Sequence, residues 1–348
     1  MTGAKGTMRQ RKRGSKDPEM PFGENVRGSS QADRVRIRTA WMYYVEQLTQ
    51  SEIAAILNVG RVTVVRLLAD ARARNEIKIT INAKVADTTE LERGLEELFD
   101  IQKAIVAPLS GPQADPVPVI SAAAGDYISQ IATSNMRVGV GWGRTLYNTL
   151  PFIKGQSLTG FRVYSLLGGI IQARRFNPAE FAWQLAELFQ GEGFLVPAPA
   201  IVDSVETKRT LIERCGLNTI FEMAEDLDAV LLSVGGTTST ATSYQVGYLT
   251  DAQHDSLVAA GAIGDLLFHF FDERGNLIDH EINDRVMSVG LDRLRRAPIR
   301  LLASGGPEKV GALIGAMKLV NPTVFITDEV TAASMIEKTR LNGSRKKA

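Results

Sequence analysis

Gly139, Gly141 and Gly143 sit on alternate positions at the end of a hydrophobic run, and Arg144-Thr145 follow directly. Glycines at that spacing let backbone N–H groups close around an anion, often a phosphate. Trp142 lies inside the loop, either covering a ligand or packing in the core. Gly168-Gly169 and Gly235-Gly236 also end apolar runs, and in "SGGPEK" Lys309 follows a glycine pair where a helix should begin. An ammonium beside free helix N–H groups makes a phosphate clamp; the plainer reading is a surface lysine. Arg144 has a similar alternative, a salt bridge. Turning over a bound anion would need groups that move protons. Asp265 and His269 lie one helical turn apart and have that chemistry, but "LLFHFF" surrounds His269 with apolar side chains, as expected of a partly buried helix residue.

The 348 residues are 44% hydrophobic and 23% charged, enough for two or three domains with ordinary cores. Cys215 is the only cysteine, which excludes an internal disulfide and a thiolate-rich metal site. The three histidines, at 254, 269 and 280, are scattered, so neither a metal nor another cofactor is expected. No apolar run approaches the roughly 20 residues of a membrane span, and the basic N-terminus lacks the apolar stretch of a secretory signal. A cytoplasmic protein without a membrane partner is expected.

Charge divides the chain. Residues 1–85 carry 16 Lys/Arg against 8 Asp/Glu, and the remainder 24 against 31. A basic head on an acidic body points to a polyanionic partner for the head. Residues 1–30 read as a disordered basic tail. The cluster Arg9-Gln10-Arg11-Lys12-Arg13 reads equally as a phosphate contact and as sequence upstream of a later start at Met8 or Met20.

Residues 31–85 read as a helix-turn-helix domain. Val35, Ile37, Ala40, Trp41, Tyr44 and Val45 recur at helical spacing. Thr49 with Glu52 forms a capping box that starts a helix over Gln50–Leu57. Asn58-Val59-Gly60 breaks the chain, and a second helix follows from about Arg61 to Arg74. The small pair Ala54-Ala55 lets the two helices cross closely. Val64, Leu67, Leu68 and Ala71 should face inward, leaving Val62, Arg66, Ala69 and Ala73 outward with Thr63 at the flank. Small side chains and one arginine suit a helix that enters a major groove about 12 Å wide. Thr49, Gln50, Arg61, Val62, Thr63 and Arg66 are therefore the candidate contacts to double-stranded DNA. "IKITIN" alternates like one short strand, a possible wing.

Residues 86–340 read as a larger α/β domain, with 341–348 a basic C-terminal tail. A helical stripe of Leu91, Leu95 and Leu98 precedes the strand "KAIVA". Then strands ending in glycines alternate with helices, as in "GFRVYSLLGG" before "NPAEFAWQLAELFQGEG" and "RLLASGG" before "PEKVGALIGAMKL". This pattern predicts a doubly wound parallel sheet with ligand groups at the carboxyl ends of its strands.

The segments "YYVEQLTQSEIAAILNVGRVTVVRLLADAR", "VGVGWGRTL", "LLGG", "GAIGDLLFHFFDERG" and "LASGGPEKVGALIGAM" together resemble the SorC family of bacterial sugar-responsive transcription regulators. The resemblance runs from about Val35 to Ile336 and leans toward regulators of sugar and polyol catabolism such as the erythritol repressors. It implies an effector domain similar to sugar-phosphate isomerases and deaminases, with Gly141, Gly143, Arg144 and Thr145 matching the effector motif. Asp265 matches the position that accepts hydrogen bonds from sugar hydroxyls; its structural alternative is an acid at a helix N-terminus. Where the deaminases carry an acidic residue after "YSLL", this chain has Gly168-Gly169-Ile170-Ile171-Gln172, which favours a sensor over an enzyme. The family usually has Ser-Arg at the start of the recognition helix, whereas this chain has Gly60-Arg61, a cap without a hydroxyl.

The expectation is a regulator whose affinity for operator DNA is set by a sugar, polyol or sugar-phosphate effector. Its candidate effector residues are Gly141, Trp142, Gly143, Arg144, Thr145, Gly169, Gly235, Asp265 and Lys309. The resemblance implies a dimer or tetramer of the chain. The alternative is a sugar-phosphate isomerase or deaminase with an appended DNA-binding head.

Overall fold

A computed structural model describes residues 31–74, 76–77, 86–170, 176–238, 241–245 and 247–345. The chain divides into two compact units, residues 1–78 and 79–348. The expected N-terminal tail, most of the wing and the expected boundary at residue 85 lie outside the described residues, as do Ile171 and Gln172.

The first unit holds α1 (Gln31–Tyr44), α2 (Gln50–Leu57) and α3 (Arg61–Ala73). Both halves of the capping box at Thr49 and Glu52 are made. Asn58 closes α2 in the left-handed region, which asparagine adopts more readily than most residues. Ile53, Val64, Leu68 and Ala71 pack with Ala40 and Met42, while Leu67 is half-buried. The outward set of α3 is as the periodicity predicts.

In α1 the apolar spacing misleads. Ile37, Trp41 and Val45 are 50%, 57% and 56% exposed, whereas Arg36 and Thr39 are buried. Arg36 turns inward because two carboxylates receive it. Its Nε donates to Glu76 Oε2 at 2.7 Å, and its Nη2 lies 2.7 Å from Asp33 Oδ1. These partners hold the guanidinium above its ordinary pKa, and they tie α1 to the segment that follows α3.

The second unit begins with α4 (Ala86–Phe99), β1 (Lys103–Ala107), α5 (Val117–Ile131), β2 (Arg137–Val140) and α6 (Arg144–Tyr147). Next come β3 (Arg162–Gly169), α7 (Pro178–Leu188), β4 (Glu192–Pro199), α8 (Val205–Arg214) and α9 (Asn218–Met223). They are followed by β5 (Ala229–Leu232), β6 (Gly235–Gly236), α10 (Thr242–Gln245), α11 (Asp251–Ala259), β7 (Gly264–Leu266) and β8 (His269–Phe271). The last elements are α12 (Glu281–Arg285), α13 (Leu291–Leu294), β9 (Ile299–Ala303), α14 (Val310–Val320), β10 (Val324–Asp328) and α15 (Glu329–Arg345). Residues 341–345, read as tail, thus belong to the last helix. No described helix is long and apolar enough to cross a membrane.

Seven strands form one parallel sheet in the order β1-β10-β9-β5-β2-β3-β4. Helices cover both faces, as parallel sheets require. Val138, Val140, Leu231, Leu301 and Ala303 face a core with α5 and α7, while Val230, Leu232, Leu302 and Phe325 face the core with α14 and α15. From β2 the chain steps to β3 and β4, then returns to β5 on the other side of β2. The order reverses there, and a crevice opens at the carboxyl ends of β2 and β5, the place where open α/β sheets bind ligands.

Two features differ from the sequence reading. Helix α7 ends at Leu188, and Glu192–Pro199 is the edge strand β4. Its Pro197 and Pro199 are tolerated because an edge strand need not donate on both sides. Second, Asp265 and His269 are not on a helix. β6, β7 and β8 form a small antiparallel sheet, and Leu267 and Phe268 turn the β7–β8 hairpin with φ of 52° and 63°. Two consecutive positive φ values make the tight hairpin turn usually given to Asn-Gly. Packing holds them here: Phe268 is stacked on Trp142, with ring centroids 4.7 Å apart, and Leu267 lies against Gly141.

Candidate functional site

In the first unit the outer surface of α3 is built from exposed side chains. Val62 is 83% exposed, Arg66, Ala69 and Ala73 are exposed, and Thr63 is half-buried at the flank. Arg61 Nε donates to Gln50 Oε1 at 3.3 Å, joining the starts of α2 and α3. The Thr49 hydroxyl donates to Glu52 Oε2 at 2.7 Å and accepts the Glu52 amide at 3.3 Å. Its hydrogen bonding is thus spent on the cap, which makes Thr49 a support for this surface. Gly60 caps α3 with no side-chain bond, and space is open where a side chain would stand.

In the second unit a cavity of about 220 Å³ lies at the reversal of strand order. Trp142, Gly143, Arg144 and Thr145 reach it from the loop after β2, and Gly235 from the segment after β5. Asp265 reaches it from β7 and Lys309 from the loop after β9. Seven of the candidate residues therefore meet at one cavity although they are spread over the chain.

Gly141 and Gly169 do not line it. The Gly141 amide donates to the Leu231 carbonyl at 2.8 Å, and a Cβ there would meet Leu231 and Leu267. Gly141 packs the base of the loop and has no N–H left for an anion. The Gly169 carbonyl accepts the Tyr248 hydroxyl at 2.8 Å and the Ala200 amide at 2.8 Å, both structural bonds. Gly143, by contrast, has φ of 114° with open space beside its Cα, and it delivers the chain into α6. The first-turn amides of α6 have no carbonyl four residues earlier to bond.

The charged groups are closely coupled. Asp265 is 2% exposed, and burial pushes its carboxyl up to about 6. Oδ2 accepts the Phe268 amide at 3.1 Å, and the nearby Ser243 hydroxyl and that amide pull the carboxyl back down against burial. Oδ1 has no hydrogen-bond partner among the described residues. A buried polar atom left without a partner costs free energy unless a ligand or water supplies one. Burial lowers the Lys309 ammonium, against the pull of Glu308, Asp265 and Asp115. Arg144 lies 3.3 Å from Asp115, so the salt bridge open to it from the sequence is made, with both groups half exposed. Trp142 is buried, packs on Phe268 and lines the cavity.

His269 does not line the cavity. Its Nε2 bonds the Ser288 hydroxyl at 2.8 Å, and burial lowers its pKa to about 4. The Asp265–His269 acid/base pair is therefore absent, because the hairpin turns the two side chains apart. Sequence reasoning missed Ser233, Ser243, Thr242, Gln245 and Glu308, which all line the cavity. They lie in short segments with no periodic pattern to mark them.

The profile of the sugar-binding domain family matches residues 83–337. The deoxyribonucleoside regulator of Bacillus subtilis is 30% identical over 307 residues, covering 87% of this chain and 97% of its own length. The chain belongs to the SorC family of sugar-binding transcriptional regulators. The erythritol catabolism regulatory protein EryD of Brucella abortus is 27% identical over 306 residues, 87% of this chain and 96% of its own. The crystal structure of the full-length sorbitol operon regulator SorC from Klebsiella pneumoniae superimposes with a TM-score of 0.66 at 23% identity. That match covers 87% of this chain and 98% of the other, so the SorC fold spans both units. These relatives are named as regulators, not enzymes. This SorC-family chain is accordingly a transcriptional regulator with a sugar-binding domain.

Proposed function

We propose that the cavity binds a small phosphorylated sugar or polyol and that its occupancy sets the affinity of α3 for operator DNA. The observation that carries the proposal is the pairing of opposite needs in one cavity. Lys309 is a half-buried cation lining the cavity, and Asp265 offers an unbonded, buried carboxylate oxygen. A phosphate answers the first and a sugar hydroxyl the second. Thr145 and the amides that open α6 assist at the phosphate, and Arg144 joins them by exchanging Asp115 for the ligand anion. The names of two relatives mention a polyol, erythritol, and sugar derivatives, deoxyribonucleosides; the phosphate is inferred from Lys309 and the glycine loop of this chain.

In the first unit Arg66 reads base edges, Val62 and Thr63 make close contacts in the groove, and Arg61 with Gln50 meets the phosphate backbone. The effector acts through differential affinity for two states of the protein rather than through chemistry on itself. A self-associated regulator, dimer or tetramer, reads a palindromic operator.

A thermal-shift screen of sugars, polyols and their monophosphates tests the pocket. A ligand at 100 times its Kd should stabilise the protein by about 2.7 kcal/mol. Stabilisation by monophosphates and not by their parent sugars supports the phosphate assignment. Equal stabilisation by both would remove it.

A further inference from the structure

We infer that Gly235 is a positioning residue: its missing side chain is the seat of the Asp265 carboxylate and so sets which hydroxyl pattern the cavity accepts. The inference rests on the proposed reading of the cavity as the effector site.

β6 and β7 pair antiparallel with Gly235 opposite Asp265. A Cβ on Gly235 would stand 2.1 Å from Asp265 Oδ1 and 3.0 Å from its Cγ. The carboxylate therefore lies across the bare Cα of Gly235, with the unpartnered oxygen on that side. The next residue shows the contrast. A Cβ on Gly236 would meet nothing closer than the Lys309 stem at 3.8 Å, an ordinary contact. Gly235, the first of a glycine pair that reads as an anion loop, is thus the floor on which a carboxylate rests.

Gly235 has no positive φ, so its identity is not explained by backbone conformation. Alanine is allowed there on backbone grounds, and the atom it would strike is the end of a side chain that can rotate. Gly235→Ala should leave the fold intact and swing the carboxylate away from the Phe268 amide that now holds Oδ2. The ligand would then meet a displaced acceptor. A glycine serving as a backbone donor would instead keep its N–H after substitution by alanine and would act independently of Asp265.

The test is a double-mutant cycle on the full chain with Gly235→Ala, Asp265→Ala and the double variant. Without ligand, Gly235→Ala should lower Tm in the wild-type background and leave it unchanged in the Asp265→Ala background, where the clash is gone. An equal drop in both backgrounds would overturn the seating role. With erythritol 4-phosphate, ribose 5-phosphate, 2-deoxyribose 5-phosphate and glucitol 6-phosphate as probes, the wild type should rank the compounds. All three variants should lose affinity to a similar degree, within about twofold, and flatten that ranking. Loss in Gly235→Ala but not in Asp265→Ala would make Gly235 a contact in its own right and overturn the inference. A Tm cycle as expected with none of the four probes bound by the wild type would uphold the seat and defeat the effector reading, and selectivity with it.

Discussion

The outer surface of α3 and the cavity of the second unit are both polar, but they are held differently. On α3 the side chains stand in water on a helix whose core lies on its other face. Arg66 can change without disturbing Val64, Leu68 or Ala71. In the cavity Asp265 is buried and Lys309 half-buried, and the charges depend on one another: Asp265 on the Phe268 amide, Arg144 on Asp115, Lys309 on the carboxylates around it. An exposed surface of the kind proposed to read DNA separates function from stability, whereas a partly buried pocket couples them. Substitutions in the cavity should therefore show in folding and in pH dependence, and substitutions on α3 in DNA binding alone.

Asp265→Asn should give the largest effect. Its carboxyl titrates near 3.8 when unfolded and near 6 when folded. Between those values the unfolded chain binds fewer protons, so the stability that protonation supplies is complete below about 3.8 and is lost as pH rises to about 6. The whole step is on the order of 3 kcal/mol. Asparagine should abolish it, which denaturant titrations at pH 4.5 and 7 would detect. A step that persists in the variant would assign it to another group.

Lys309→Ala should come next, weakening effector binding by roughly 1.5–3 kcal/mol, the usual loss for a charge-assisted hydrogen bond. Calorimetry with the effector found by screening measures it. The fold should survive with some loss of Tm, since the half-buried ammonium is relieved of its burial but the carboxylates of Glu308 and Asp265 lose a counter-charge. Arg66→Ala should cost roughly 1–3 kcal/mol of specific operator binding with Tm unchanged. A smaller loss, equal on random DNA, would make Arg66 a phosphate contact. A lower Tm would break the comparison itself. Thr49→Ala should have the smallest effect, about 1 kcal/mol on the first unit, because the threonine serves the cap. If the variant lost operator contacts while keeping its stability, Thr49 would belong to the reading surface.

The same contrast explains what the sequence made legible. The capping box at Thr49, the turn at Asn58–Gly60 and the outward set of α3 are local patterns with spacings of three and four, and they could be read in place. So could the loop at Gly143 and Lys309, since strand, loop and helix follow one another in the chain, whereas Gly141 and Gly169 do not line the cavity and make structural bonds instead. The inward turn of Arg36 was hidden because its partner Glu76 lies 40 residues away. The Asp265–His269 segment was misread because an apolar run of this length serves a helix or a hairpin equally. Ser243 and Gln245 gave no signal, for they sit on the four-residue α10, too short to show a period.

The most direct test is operator binding measured against effector concentration for the wild type and Lys309→Ala, with the effector followed by NMR in the same samples. The account predicts that the effector shifts wild-type operator affinity and is recovered unchanged. Lys309→Ala should bind operator as the wild type does without effector and respond only at much higher effector concentrations. A variant with an undiminished response, or steady conversion of the effector by catalytic amounts of protein, would contradict it.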